Sequence, residues 1–222
     1  MKPQTIQIFL PDGNPRGLKI AEITSRTIQA VLIPRNQLDL ACKRKELANV
    51  GIYFLFGSSD DENVEQVYIG EAEDCGERLK QHHKDKKKDF WNYAVVIISK
   101  TQFFTKSHVK YLEHHCYQEA LSSARFKIEQ TTPTKSYVSE PVEADLLDNF
   151  ETIKVLTTTL GYNVFEKISS APKKDLLYCS GKKASASGDY TTDGFVVFKG
   201  SKFQKEMVKS CSRGAQRLRE QF

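Results

Sequence analysis

No apolar run in this 222-residue chain approaches the roughly 18 residues that a membrane span needs. The opening stretch "MKPQTIQIFLPDG" lacks both the long apolar core and the small-residue cleavage site of a secretory signal, so a cytoplasmic location is expected by default. Cysteine is sparse and scattered: Cys42, Cys75, Cys116, Cys179 and Cys211 include no CxxC pair, and their number is odd. That pattern suggests neither a structural zinc site nor a disulfide framework, and reduced, mostly buried thiols are expected. No internal repeat and no low-complexity tract is present, which excludes solenoid and fibrous architectures.

What remains is ordinary globular material, 39% hydrophobic and 27% charged. The net charge of +5 is unevenly spread. Lys and Arg outnumber Asp and Glu eight to four in residues 1–50 and fourteen to eleven in residues 131–222, whereas residues 51–130 hold eleven against thirteen. Basic flanks of this kind suit a phosphate backbone, and they suit a solvated surface equally well.

The periodicity predicts an α+β chain with a small mixed or antiparallel central sheet flanked by helices. Residues 1–48 read as a small β-rich N-terminal module, with strands in "PQTIQIFL", "LKIAEI" and "TIQAVLIP" and a short helix carrying Leu38, Ala41 and Leu47 inward. Residues 49–135 read as strand, strand, helix, strand, helix. Asp74 followed by Glu77 has capping-box spacing, and Thr105 or Ser107 is placed to cap the second helix. "WNYAVVIIS" is too apolar to face water on either side. Residues 136–169 read as a connecting helix and linker, the helix burying Leu146, Phe150 and Ile153 and stopping at Gly161. Residues 170–222 read as a small C-terminal module: a strand "LLYCS", a Gly/Ser/Ala-rich turn, a strand "FVVFKGS" and a basic end.

The middle segment holds the residues that could carry chemistry. "GIYFLFG" and "VYIG" place Tyr53 and Tyr68 beside glycines in two successive strands, where same-face tyrosines can bring their hydroxyls together. Arg78 and His82 lie four apart and leave the next helix from one side. A fixed guanidinium beside phenols suits a phosphodiester. Glu113 sits next to Leu112 at the edge of an apolar helical stripe, and a lone carboxylate with several waters is a common Mg²⁺ arrangement. His114 and His115 point about 100° apart on a helix, which disfavours a shared metal.

"GIY", "YIG", "ERLKQH" and "YLEHH", in this order over residues 49–130, resemble the GIY-YIG nuclease superfamily. The tail "LLYCSGKKASASG…DGFVVFKGSKF" is similar to a C-terminal domain of unknown function that often follows such domains in bacterial proteins. The resemblance implies a metal-dependent endonuclease that hydrolyses DNA. It implies that Tyr53 and Tyr68 orient or deprotonate the attacking water, that Arg78 holds the phosphate, and that His82 assists proton transfer. It implies that Glu113 binds one divalent ion, Mg²⁺ or Mn²⁺. Two positions depart from the pattern: Glu71 stands where some members have a lysine, and Gln130 stands near where many have an asparagine. Residues 60–77 also hold eight acidic and no basic residues, an acidic rim that favours the alternative of a weakly active or inactive nucleic-acid-binding module on the same fold. Lys80, Lys84, Lys202, Lys205, Arg213 and Arg217 are candidates for backbone contact. The C-terminal module is also where a protein partner would bind.

Overall fold

The computed structural model describes residues 3–58, 64–167, 176–181, 184–191, 194–198 and 200–202, and the chain divides into two compact units, Met1–Ile168 and Ser169–Phe222. The first unit is built on a seven-stranded sheet in the order β1-β2-β3-β6-β4-β5-β7. Its strands are β1 (Ile6–Phe9), β2 (Lys19–Ile23), β3 (Ile28–Pro34), β4 (Gly51–Ser58), β5 (Glu65–Ala72), β6 (Trp91–Ser99) and β7 (Lys127–Ile128). All neighbours pair antiparallel except β5 and β7, which run parallel.

The fold is α+β, as its pattern predicts, but the sheet is larger than expected. The sequence reading sets residues 1–48 apart as a module. In the structure their three strands extend the same sheet, through the pairing of β3 with β6. The apolar run Ala94–Ser99 explains this: it is buried on both faces and has an antiparallel neighbour on each edge, β3 and β4.

Two helical layers cover the sheet. On one face α3 (Lys106–Ser123) and α4 (Glu140–Thr159) bury Leu112, Cys116, Phe150 and Ile153 against Ile52, Phe54, Ile69 and Val95. On the other, α1 (Leu38–Ala41) and α2 (Cys75–Lys84) bury Leu38, Ala41 and Leu79 against Val31, Tyr53, Leu55 and Val96. The expected helix over 35–48 breaks into 3₁₀ turns around α1, yet still buries Leu38, Ala41 and Leu47. Asp74 caps α2 by accepting from Glu77 N at 2.8 Å, and Thr105 caps α3 by accepting from His108 N at 3.4 Å. Past the end of α4, Gly161 adopts φ +99°, a conformation a side chain would oppose. Burial pushes the thiols of Cys75 and Cys116 up, to about 12 for Cys75, and the four cysteines among the described residues are unbridged.

The second unit holds an antiparallel three-stranded sheet, β10-β9-β8, formed by β8 (Leu177–Gly181), β9 (Ala184–Thr191) and β10 (Gly194–Val197). Here the sequence reading is corrected: the small residues of "ASASGDYT", expected as a turn, form the central strand. Their low strand propensity is overridden by ladder partners on both sides. Of the basic end, Arg213, Arg217 and Lys205 lie outside the described residues, and Lys202 is joined to Ser185 by an isolated bridge.

Candidate active site

The two tyrosines lie on the α2 face of the sheet, on neighbouring strands. The register pairs Tyr53 with Gly70 and Leu55 with Tyr68, so the tyrosines are diagonal neighbours rather than directly opposed. Their ring centroids are 6.2 Å apart with 28° between the planes. Gly70 is required by this geometry: a Cβ there would overlap the Tyr53 ring. Gly51 has a different reason, since a Cβ there would run into the Ile97 carbonyl of β6.

Helix α2 brings Arg78 and His82 onto the tyrosines. Tyr53 Oη is 2.7 Å from His82 Nε2, and Arg78 Nε–H donates to the same hydroxyl at 3.3 Å. Arg78 Nη1 donates to Gln81 Oε1 at 2.9 Å, holding the guanidinium from its other end. Burial, with Tyr68 beside it, pushes the Tyr53 phenol far up, so it stays neutral. Burial, helped by the charges of Arg78 and Lys88, holds the His82 imidazole down to about 4, so it too is neutral at pH 7. Arg78 therefore donates to Tyr53, and with the His82 proton on Nδ1 Tyr53 in turn donates to His82 Nε2.

A cleft of about 700 Å³ opens beside this cluster, lined by Tyr68, Lys88, Glu113, Gln130 and the stretch 131–136. Beside it β7 ends at Ile128, and Glu129 N makes one more backbone bond to β5, to the Val67 carbonyl at 3.0 Å. Gln130 closes the exposed ladder: its Oε1 accepts from Ile69 N at 2.6 Å. His114 holds the far wall, its Nδ1–H donating to the Pro133 carbonyl at 2.8 Å. His115 turns instead to Phe150, with ring centroids 4.5 Å apart, so the two histidines diverge as the helix dictates.

Glu113 reaches the cleft from α3. Burial first, and then the charge of Glu71, push its carboxyl up to about 7, while Lys106, Lys110 and Arg78 pull it back. Among the described residues no group of three or more His, Cys, Asp or Glu side chains could hold a metal ion. A single half-buried carboxylate can take part in holding one hard divalent ion that water and other oxygens complete.

The acidic rim is partly neutralised. Glu71 is in ion-pair contact with Lys106 at 2.8 Å, Glu77 with Lys80 at 2.7 Å, and Asp74 is spent on the helix cap. The pairing with Glu77 also takes up Lys80, whose charge is felt by Cys42 near α1, and Lys84 is exposed at the end of α2. The residue that the sequence reading missed is Lys88. A 3₁₀ turn over Lys86–Lys88 places its ammonium 3.3 Å above the Tyr68 ring. The run "KDKKKDF" signals charge, but nothing in it marks which lysine turns inward.

Comparison with known proteins reaches the second unit alone. The family model described as "Domain of unknown function (DUF4357)" matches residues 177–222. No curated protein matches the chain. No solved structure matches it either.

Proposed function

We propose that the protein is a metal-dependent endonuclease of the GIY-YIG type, hydrolysing phosphodiester bonds in DNA. The observation that carries this reading is the meeting of Tyr53, Tyr68, Arg78 and His82, from two strands and a helix, in one cluster beside the cleft that holds Glu113.

The roles follow from accessibility. Tyr53 is wholly buried, so it does not touch water or substrate; it is a positioning residue that holds Arg78 and His82. Tyr68 lines the cleft and orients the attacking water. Arg78 is exposed and makes no ion pair among the described residues, which leaves its remaining N–H groups for the non-bridging oxygens of a phosphate. In the reaction a bond forms from the water oxygen to phosphorus and the bond to the leaving oxygen breaks. His82, neutral at pH 7, is the member of the cluster able to take up the water's proton, which would reach it from Tyr68 in the cleft by way of the buried Tyr53 hydroxyl that bonds to both. A divalent ion held by Glu113 would supply Lewis acidity for the departing oxygen.

The test is a cleavage assay with supercoiled, linear, single-stranded and branched DNA in Mn²⁺, Mg²⁺ or EDTA. Wild type should cut only with metal, and Arg78→Ala and Glu113→Ala should each lose about 10²-fold or more in rate. Undiminished cutting by either variant would remove that residue from the mechanism. DNA binding without cutting of any substrate would favour a binding module on the same fold.

A further inference from the structure

We propose that Lys88 is a second phosphate-binding cation of this site, placed on the Tyr68 side of the tyrosine pair as Arg78 is on the Tyr53 side. The inference rests on the nucleic-acid reading of the cleft. It adds the ligand group that fixes where the strand lies.

Three observations point the same way. Lys88 Nζ sits 3.3 Å from the centroid of the Tyr68 ring and lines the cleft. Its hydrogen bond is a long one, to the Glu129 carbonyl at 3.4 Å, and among the described residues it makes no ion pair. The cleft is also lined by the hydroxyls of Thr131, Thr132, Thr134 and Ser136, donors suited to phosphate oxygens, and its charged lining of Lys110, Lys135 and Glu113 is positive on balance with Lys88.

A lysine whose only task were to cover Tyr68 would lie with its stem on the ring and its ammonium in water. Here the residue is half-buried with its ammonium set on the ring, and burial pulls its pKa below the ordinary value. Burying a cation is costly. The carboxylates of Asp85 and Glu129 offset part of that cost from a distance, neither forming an ion pair with Lys88 among the described residues, and an incoming anion on the cleft side would offset more of it. Arg78 and Lys88 each act on His82 electrostatically, so both charges bear on the one cluster. A phosphodiester in the cleft would take Lys88 on one non-bridging oxygen and keep Tyr68 between the two cations.

The test compares wild type with Lys88→Met, which keeps an apolar stem over Tyr68, and Lys88→Arg, which keeps the charge. Thermal unfolding first checks that the variants fold. Binding of a short duplex oligonucleotide is then titrated against salt in EDTA, and single-turnover cleavage is followed in Mn²⁺. The Lys88→Met salt slope should fall by about 0.9, the loss of one phosphate contact, and Lys88→Arg should retain it. Cleavage by Lys88→Met should fall by about tenfold or more, the scale of one charge-assisted hydrogen bond. An unchanged slope in Lys88→Met while wild type cuts overturns the role of Lys88 and leaves the nuclease standing. A reduced slope with no cutting by wild type sustains Lys88 and overturns the nuclease. A wild type that binds no DNA overturns both.

Discussion

Tyr53 Oη stands between His82 Nε2 at 2.7 Å and Arg78 Nε at 3.3 Å, so one buried hydroxyl ties two residues of α2 to the middle of the sheet. Replacing Tyr53 by Phe keeps the ring over Gly70 but strands His82 Nε2 without its hydrogen-bond partner. An unsatisfied buried donor or acceptor costs about 1–3 kcal/mol. In a protein of this size that lowers Tm by about 2–12 °C. Arg78 also loses its anchor, so cleavage should fall alongside stability. A Tyr53→Phe protein that melts and cuts like wild type would show that the hydroxyl holds nothing.

Gly70→Ala tests the same packing from the other strand. The new Cβ must displace the Tyr53 ring, and the ring lies under α2 with no slack. Overpacking of this kind costs about 1–3 kcal/mol. The expected result is a lower midpoint in urea with an unchanged slope, together with a loss of cleavage. Gly181, where a Cβ would lie 3.9 Å from the nearest atom, is the control and should tolerate alanine.

Much of this site is legible in the sequence alone, and the reasons are local. Arg78 and His82 share a helix side because four residues make about one turn, and Asp74 caps that helix by the expected bond. The pairing of Tyr53 with Gly70 is not legible, because register is set by the whole ladder and β4 is held by β5 and β6 together. Nor is the joining of residues 1–48 to the sheet, a long-range pairing of β3 with β6 for which the strands themselves carry no address. Lys88 escapes for a related reason: its direction depends on the 3₁₀ turn before β6, while its own run of lysines reads as a solvated surface. Gln130 is visible only as a polar residue near the right place, and its bond to Ile69 N shows what that place does.

Glu113 gives the site a pH signature. Its carboxyl is pushed up from 4.5 to about 7, so the folded state favours the protonated form. That advantage is intact below the unfolded value of about 4.5, shrinks as pH rises, and is gone once pH passes about 7. Wild type should therefore lose stability relative to Glu113→Gln between mildly acidic and neutral pH, with the gap constant above it. Mn²⁺ should restore wild type above pH 7 and leave Glu113→Gln unmoved, as read by thermal melts with and without metal. Equal melting of the two proteins across this range would show that Glu113 is well solvated and would weaken its case as the metal ligand.

His82 titrates in the opposite sense. Its imidazole is held down from 6.5 to about 4, so the unfolded chain takes up a proton first as the pH falls. The stability that neutral His82 contributes is present above about 6.5 and is lost as pH drops toward 4. In nitrogen-detected NMR His82 should remain neutral at pH 5.5, with the proton on Nδ1 and Nε2 accepting from Tyr53. An imidazolium signal for His82 at that pH would break the proton chain drawn here.

The two units make a separable prediction. Among the described residues, both hydrophobic clusters of the first unit draw only on residues 6–165, so the first unit supplies its own core. A chain ended after residue 168 should melt cooperatively within a few degrees of the full chain, since both clusters stay whole in it. The removed part carries Lys202, Lys205, Lys209, Arg213, Arg217 and Arg219. If that run grips the DNA backbone, the salt slope of binding should drop by several units in the shortened chain, about 0.9 for each phosphate released. Cleavage by saturating enzyme should persist, because Tyr68, Arg78, His82 and Glu113 all remain. Equal salt slopes for the two chains would place every phosphate contact in the first unit, and would assign the C-terminal run to a partner other than nucleic acid.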